Sequence, residues 1–127
     1  QEFGGVLLYV DQDGGKPKGS SAGFSESENM VARLKHNWDS KLYWVHSESL
    51  YTTLRCFLAD RGEDLWREYV RLHEYVFSVF PNPNREIGEW IQVRKRDGSP
   101  DDKLVGLPVK DPFHITRNLI LAIELLS

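Results

Sequence analysis

"SESLYTTLRCFLADRGEDLWREYVRLHEYVFSVF", residues 47–80, decides the architecture of this chain. Leu50, Tyr51, Leu54, Phe57 and Leu58 recur at three- and four-residue spacings, which line one face of an α-helix. Ser47 is a residue type that accepts a hydrogen bond from a first helical turn, and it is the predicted cap. The polar "DRG" at 60–62 breaks the pattern. A second stripe starts at about Glu63 and runs through Leu65, Trp66, Tyr69, Leu72, Val76 and Phe80, ending where "PNPN" cannot continue a helix. Two apolar-faced helices joined by so short a break are expected to fold back as an antiparallel pair.

Outward from this pair the pattern changes. "GGVLLYV" reads as a buried strand ended by the turn-forming "DQDGG", followed by the polar, Gly/Ser-rich "KPKGSSAG". Ser25 and Glu28 have the spacing of a capping box, opening a short helix with Met30, Val31 and Leu34 on one side. "KLYWVH" is a second strand candidate. "EWIQVRKR" alternates as a third, with Ile91 and Val93 on one side and Trp90, Gln92, Arg94 and Arg96 on the other. "LVGLPV" is the last strand, its Pro108 favouring an edge or a strand end. Asp111 as N-cap and Pro112 at the first helical position then start a closing helix whose "NLILAIELL" is apolar nearly all round. The order β-α-β-α-α-β-β-α predicts an α+β fold, a small, mainly antiparallel sheet packed against three to four helices.

The chain has 127 residues, enough for one compact domain with a real core. Its start at Gln1 without Met leads us to expect an excised part of a larger protein. The single cysteine, Cys56, excludes an intramolecular disulfide and points to a reducing, intracellular compartment. A net charge of −3 gives no global pull toward nucleic acid. No apolar run reaches the roughly 18 to 20 residues of a membrane span, so no membrane association is expected.

Several residues carry possible chemistry. Asp11 and Asp13 could share a divalent cation, but a strand-ending turn explains both, and no metal site is expected. The "KPKGSSAGF" loop lacks the spacing of a phosphate-binding fingerprint. His36, His46, His73 and His114 are dispersed, without zinc-site spacing; His73 lies on an apolar face, where a hydrogen-bonded structural histidine is the ordinary outcome. Cys56 sits mid-helix rather than at a helix N-terminus, where a thiolate would be stabilised, so a hydrolase built on it finds no support. The stripe of Trp90, Gln92, Arg94 and Arg96 can stack a base and hold phosphate, with Lys103, Lys110 and Arg117 adding charge. Interleaved Asp97, Asp101, Asp102 and Asp111 make the field mixed, and a solvated strand face competes with that reading.

"LPVKDPFHITRNL" resembles a segment near the end of the catalytic core in noncanonical poly(A) polymerases and terminal uridylyltransferases. The matching residues are Asp111, Pro112, Phe113, Ile115, Thr116 and Asn118. The resemblance implies part of the central domain of a nucleotidyltransferase, with Asp111 and Phe113 as structural anchors and Arg117 and Asn118 as nucleotide or RNA contacts. Arg117 stands where such enzymes often carry a base-selecting histidine, and it can instead pair with a phosphate or with an acidic neighbour. The family's metal-binding carboxylates are missing. The expectation is therefore a noncatalytic, RNA-contacting portion of an RNA-processing nucleotidyltransferase, without a cofactor, using Trp90, Arg94, Arg96, Arg117 and Asn118. The alternative is a protein-interaction domain that meets a partner, or the remainder of its parent chain, through its apolar closing helix.

Overall fold

A computed structural model describes residues 2–20, 22–25, 28–101 and 113–127. Its elements are α1 (Asn29–His36), β1 (Lys41–Leu42), α2 (Tyr43–Asp60), α3 (Glu63–Val79), β2 (Val93–Arg94) and α4 (Phe113–Leu126). Helices dominate. The only sheet among the described residues is the antiparallel pair β1–β2, with Lys41 opposite Arg94 and Leu42 opposite Val93. The α+β expectation is thereby overturned, for a specific reason at each strand. "GGVLLYV" makes two backbone–backbone bonds to the 38–40 segment, Leu8 N–H to the Ser40 carbonyl and Tyr9 N–H to the Trp38 carbonyl, without forming a ladder. "KLYWVH" yields only two strand residues before the chain turns helical at Tyr43. "EWIQVRKR" alternates as a strand should, but its partner is two residues long. The expected "LVGLPV" strand, together with Lys103, Lys110, Asp111 and Pro112, lies outside the described residues.

The helix pair is as the stripes predict, with one shift. α2 begins four residues before Ser47, because Tyr43, His46, Ser47, Leu50 and Leu54 continue one inward face at helical spacing. Two of those positions are polar, so a purely apolar pattern stops short of them. Arg61 ends α2 in the left-handed conformation at φ 57°, its N–H bonding the Phe57 carbonyl. Glu63 and Asp64 occupy the first turn of α3, where carboxylates complement the helix dipole. At the start of α1, the Glu28 carboxylate accepts the Ser25 N–H, one half of the predicted capping box.

The core gathers Tyr43 of α2, Leu72 and Val76 of α3, and Phe80, with Val6, Leu50, Tyr75, Val79, Trp90 and Ile115 packed around it. Val76 and Phe80 are fully buried. α2 is central and packs on both α3 and α4. α4 is not enclosed: Phe113, Leu119, Ile120, Ile123 and Leu126 are all more than half exposed. Among the described residues no helix is long and apolar enough to cross a membrane.

Candidate active site

The seam between α2 and α4 concentrates the polar side chains that can do chemistry. Trp44 and Glu48 are one turn apart on α2; His114 and Arg117 are one turn apart on α4. Packing the helices brings the two pairs together. His114 Nδ1 lies 3.1 Å from Glu48 Oε1, and Arg117 donates to the same carboxylate oxygen. The His114 ring also stands 5.6 Å from that of Trp44 and 5.4 Å from that of Phe113. His114 and Glu48 are about one-third exposed, so the cluster is open to a ligand while its members hold one another in place.

The register of the seam is fixed by a buried bond. Asn118 Nδ2 donates to Ser47 Oγ at 2.9 Å, and that hydroxyl lies 3.4 Å from the His114 carbonyl. Asn118 is the one buried residue described in α4, and Ser47 is buried on α2. Two buried polar groups that satisfy each other fix rotation and translation of α4, because a slip would leave both unpaired. This bond holds His114 and Arg117 over Glu48.

A second cluster lies at the start of α2. His46 is fully buried; its Nε2 accepts the Val6 N–H at 2.9 Å, so its Nδ1 carries the proton donated to the Leu42 carbonyl at 2.7 Å. Burial pushes its pKa down to about 4, with Lys41 adding repulsion and the Leu42 carbonyl acting in the opposite sense. Lys41 is also fully buried and donates to the Tyr75 hydroxyl at 2.8 Å and to the Phe3 carbonyl at 3.2 Å. Burial lowers the Lys41 pKa and raises that of Tyr75 to about 12. Among the described residues, no group of three or more His, Cys, Asp or Glu is placed to hold a metal ion.

The residues expected to contact nucleotide are dispersed. Trp90 packs against Phe77 and Phe80, with centroids at 5.6 and 6.1 Å. Arg94 is buried and donates to the Val79 carbonyl at the end of α3, its Nε without a partner. Arg96 lies over the Trp38 ring at 5.6 Å. Arg117 pairs with an acidic neighbour, Glu48, and its guanidinium sits 5.9 Å from the Phe113 ring centre. Asn118 is taken up by Ser47, and Phe113 is 62% exposed. Asp111 lies outside the described residues. Sequence reasoning missed His114 and Glu48 as a pair. The available signal was modest: Trp44/Glu48 and His114/Arg117 each share a helix face, but nothing local says that those faces meet.

Comparison with known proteins gives this seam a context. No family model matches the chain. Over 126 residues, 99% of this chain, it is 30% identical to N-acylglucosamine 2-epimerase of Bos taurus, covering 26% of that protein. The corresponding human protein is 36% identical over 105 residues, 82% of this chain and 24% of its own length. A D-mannose isomerase crystal structure superposes with a TM-score of 0.60 at 16% identity, over 72% of this chain and 23% of its own. The fold of this chain is accordingly mostly helical, consistent with a portion of an α-helical barrel. These likenesses overturn the expected kinship with noncanonical poly(A) polymerases and uridylyltransferases, and with it the RNA-processing role and the RNA partner. The "DPFHITRN" match is short, and its described residues, from Phe113 on, belong to α4, where Asn118 bonds Ser47 of α2. By sequence the chain is similar to N-acylglucosamine 2-epimerases and by fold to a D-mannose isomerase, and it spans about a quarter of the length of the curated relatives it matches.

Proposed function

We propose that this chain is one portion of a sugar epimerase or isomerase, and that His114, oriented by Glu48, moves a proton at a carbon next to a sugar carbonyl. The observation that carries this reading is the 3.1 Å approach of His114 Nδ1 to a carboxylate that Arg117 also grips. A carboxylate on Nδ1 sets the tautomer and leaves Nε2 to exchange a proton with substrate. Arg117 restrains the carboxylate so that the imidazole keeps one orientation. Trp44, 41% exposed beside the His114 ring, offers an aromatic wall of the kind that binding sites combine with a few placed polar groups.

The chemistry follows from the acidity of such a carbon. Removing its proton leaves the electron pair shared with the carbonyl oxygen as an enolate. Returning the proton to the opposite face of the same carbon inverts it; where that carbon bears a hydroxyl, protonating the former carbonyl carbon while a proton passes from that hydroxyl to the former carbonyl oxygen moves the carbonyl instead. Epimerisation and isomerisation thus share their first step. The sequence likeness favours an N-acylated hexosamine as substrate over a free hexose. We further propose that the chain folds as one unit within a longer protein whose remaining helices cover the exposed apolar side of α4. The single cysteine fits an intracellular, reducing compartment.

The test is proton exchange at carbon 2 of N-acetylglucosamine or N-acetylmannosamine in D2O, followed by NMR with the full-length protein. Wild type is expected to wash deuterium in, and His114→Gln to slow this by about 10² to 10⁴. A folded His114→Gln protein exchanging at the wild-type rate overturns the assignment.

A further inference from the structure

We propose that Phe3–Val6 is a releasable clasp, closed on the α2–α3 pair while His46 is a neutral acceptor and released when His46 takes up a proton. The inference rests on the geometry around His46 and is independent of the epimerase reading.

The clasp is held at two points. Lys41 Nζ donates to the Phe3 carbonyl, and the Val6 N–H donates to His46 Nε2. Between them, Gly4 and Gly5 adopt φ of 62° and 69°, which L side chains rarely adopt. They also lie too close for a side chain: a Cβ on Gly4 would stand 2.8 Å from Tyr75 Cδ2, and one on Gly5 would stand 2.8 Å from His46 Nε2. Beyond Val6 the segment is tied by backbone bonds from Leu8 and Tyr9 to the Ser40 and Trp38 carbonyls and by the Tyr9 hydroxyl on Met30 Sδ, contacts that do not depend on the protonation of His46.

Protonation changes the sign of one contact. An imidazolium presents N–H groups on both nitrogens, so Nε2–H would face the Val6 N–H, donor against donor. The remaining neighbours offer the new charge no compensation at that nitrogen. From β1 comes the Lys41 cation, and from α3 the Tyr75 ring at 5.8 Å, its pKa raised so that the phenol stays neutral. Phe80 contributes a neutral ring at 4.6 Å. Arg94 of β2 and Asp97 act on Tyr75, and Asp97 also on Lys41, with opposite signs. The favourable response to a proton on His46 is therefore for Val6 to leave and water to take its place. Lifting the clasp bares His46, Lys41 and Tyr75 as one polar wall.

Hydrogen–deuterium exchange by mass spectrometry of the full-length protein, corrected for the intrinsic pH dependence, tests this. Peptides over residues 3–9 should be protected at neutral pH and lose about tenfold or more of that protection as pH falls to about 4, with α3 peptides still protected. His46→Gln keeps a neutral acceptor that cannot titrate, so its clasp peptide should show no such pH response. Gly5→Ala should leave the clasp unprotected at neutral pH with α3 intact, and it decides the matter if His46→Gln fails to fold. Protection that persists below about pH 4 in wild type, simultaneous loss in the clasp and α3, an unchanged pH response in His46→Gln, or a protected clasp in Gly5→Ala would each overturn the proposal.

Discussion

His114 and His46 stand on opposite terms with their surroundings. His114 meets a side-chain carboxylate through one nitrogen and is about one-third exposed; His46 has both nitrogens taken by backbone groups and no exposed surface. A histidine whose Nδ1 is fixed by a carboxylate is arranged to exchange a proton at Nε2. One whose two nitrogens are satisfied by backbone is arranged to hold structure, and losing its neutrality disrupts that structure. Both start from "lone histidine" in the sequence. The packing of α4 on α2 makes the first, and the fold-back of the glycine segment onto α3 makes the second.

The sharpest break in this comparison removes buried volume from the second region. Phe80 is fully buried and touches the His46, Tyr75 and Trp90 rings. Phe80→Ala should cost about 3–5 kcal/mol of stability, read as a shift in the denaturation midpoint. His114→Gln, in contrast, should slow proton exchange by about 10² to 10⁴ with a midpoint within about 0.5 kcal/mol of wild type. If the two substitutions destabilise equally, the division between a chemical and a structural histidine fails.

A second comparison uses pH. The folded pKa of His46, about 4, lies below the ordinary 6.5, so unfolding takes up a proton anywhere between those values. The stability it contributes is complete above pH 6.5 and is lost as pH falls toward 4, by about 3 kcal/mol in all. Denaturation midpoints of wild type and His46→Gln measured across that window should converge as the solution becomes acidic. Parallel curves would show that His46 does not carry the difference.

How much of this was legible beforehand depended on the range of the signal. The α2–α3 pair was readable because Leu54, Leu72 and Val76 belong to stripes that repeat within one helix, and "DRG" marks the turn. The sheet misled because alternation over Trp90–Arg96 says that two sides differ without saying which is covered. Trp90 packs against the core and Arg94 is buried, so the side read as a solvent-facing platform is largely interior. The candidate site was least legible. Glu48 and His114 are 66 residues apart, and only the packed helices make them neighbours. Ser47 was read as a helix cap and Asn118 as a ligand contact; each is the other's buried partner.

That Ser47–Asn118 bond gives the finest test, because it joins the chemical region to the fold without belonging to the chemistry. Asn118→Ala leaves the buried Ser47 hydroxyl short of a donor and should cost about 1–3 kcal/mol. Asn118→Ala with Ser47→Ala removes both polar groups, so the double variant should lose less than the sum of the singles, with a coupling of about 0.5–3 kcal/mol. Proton exchange should fall in Asn118→Ala as well, since α4 then loses the register that holds His114 over Glu48. Strict additivity would mean that the seam is set by apolar contacts such as Ile115 on the core, and that the polar bond merely occupies a register already fixed.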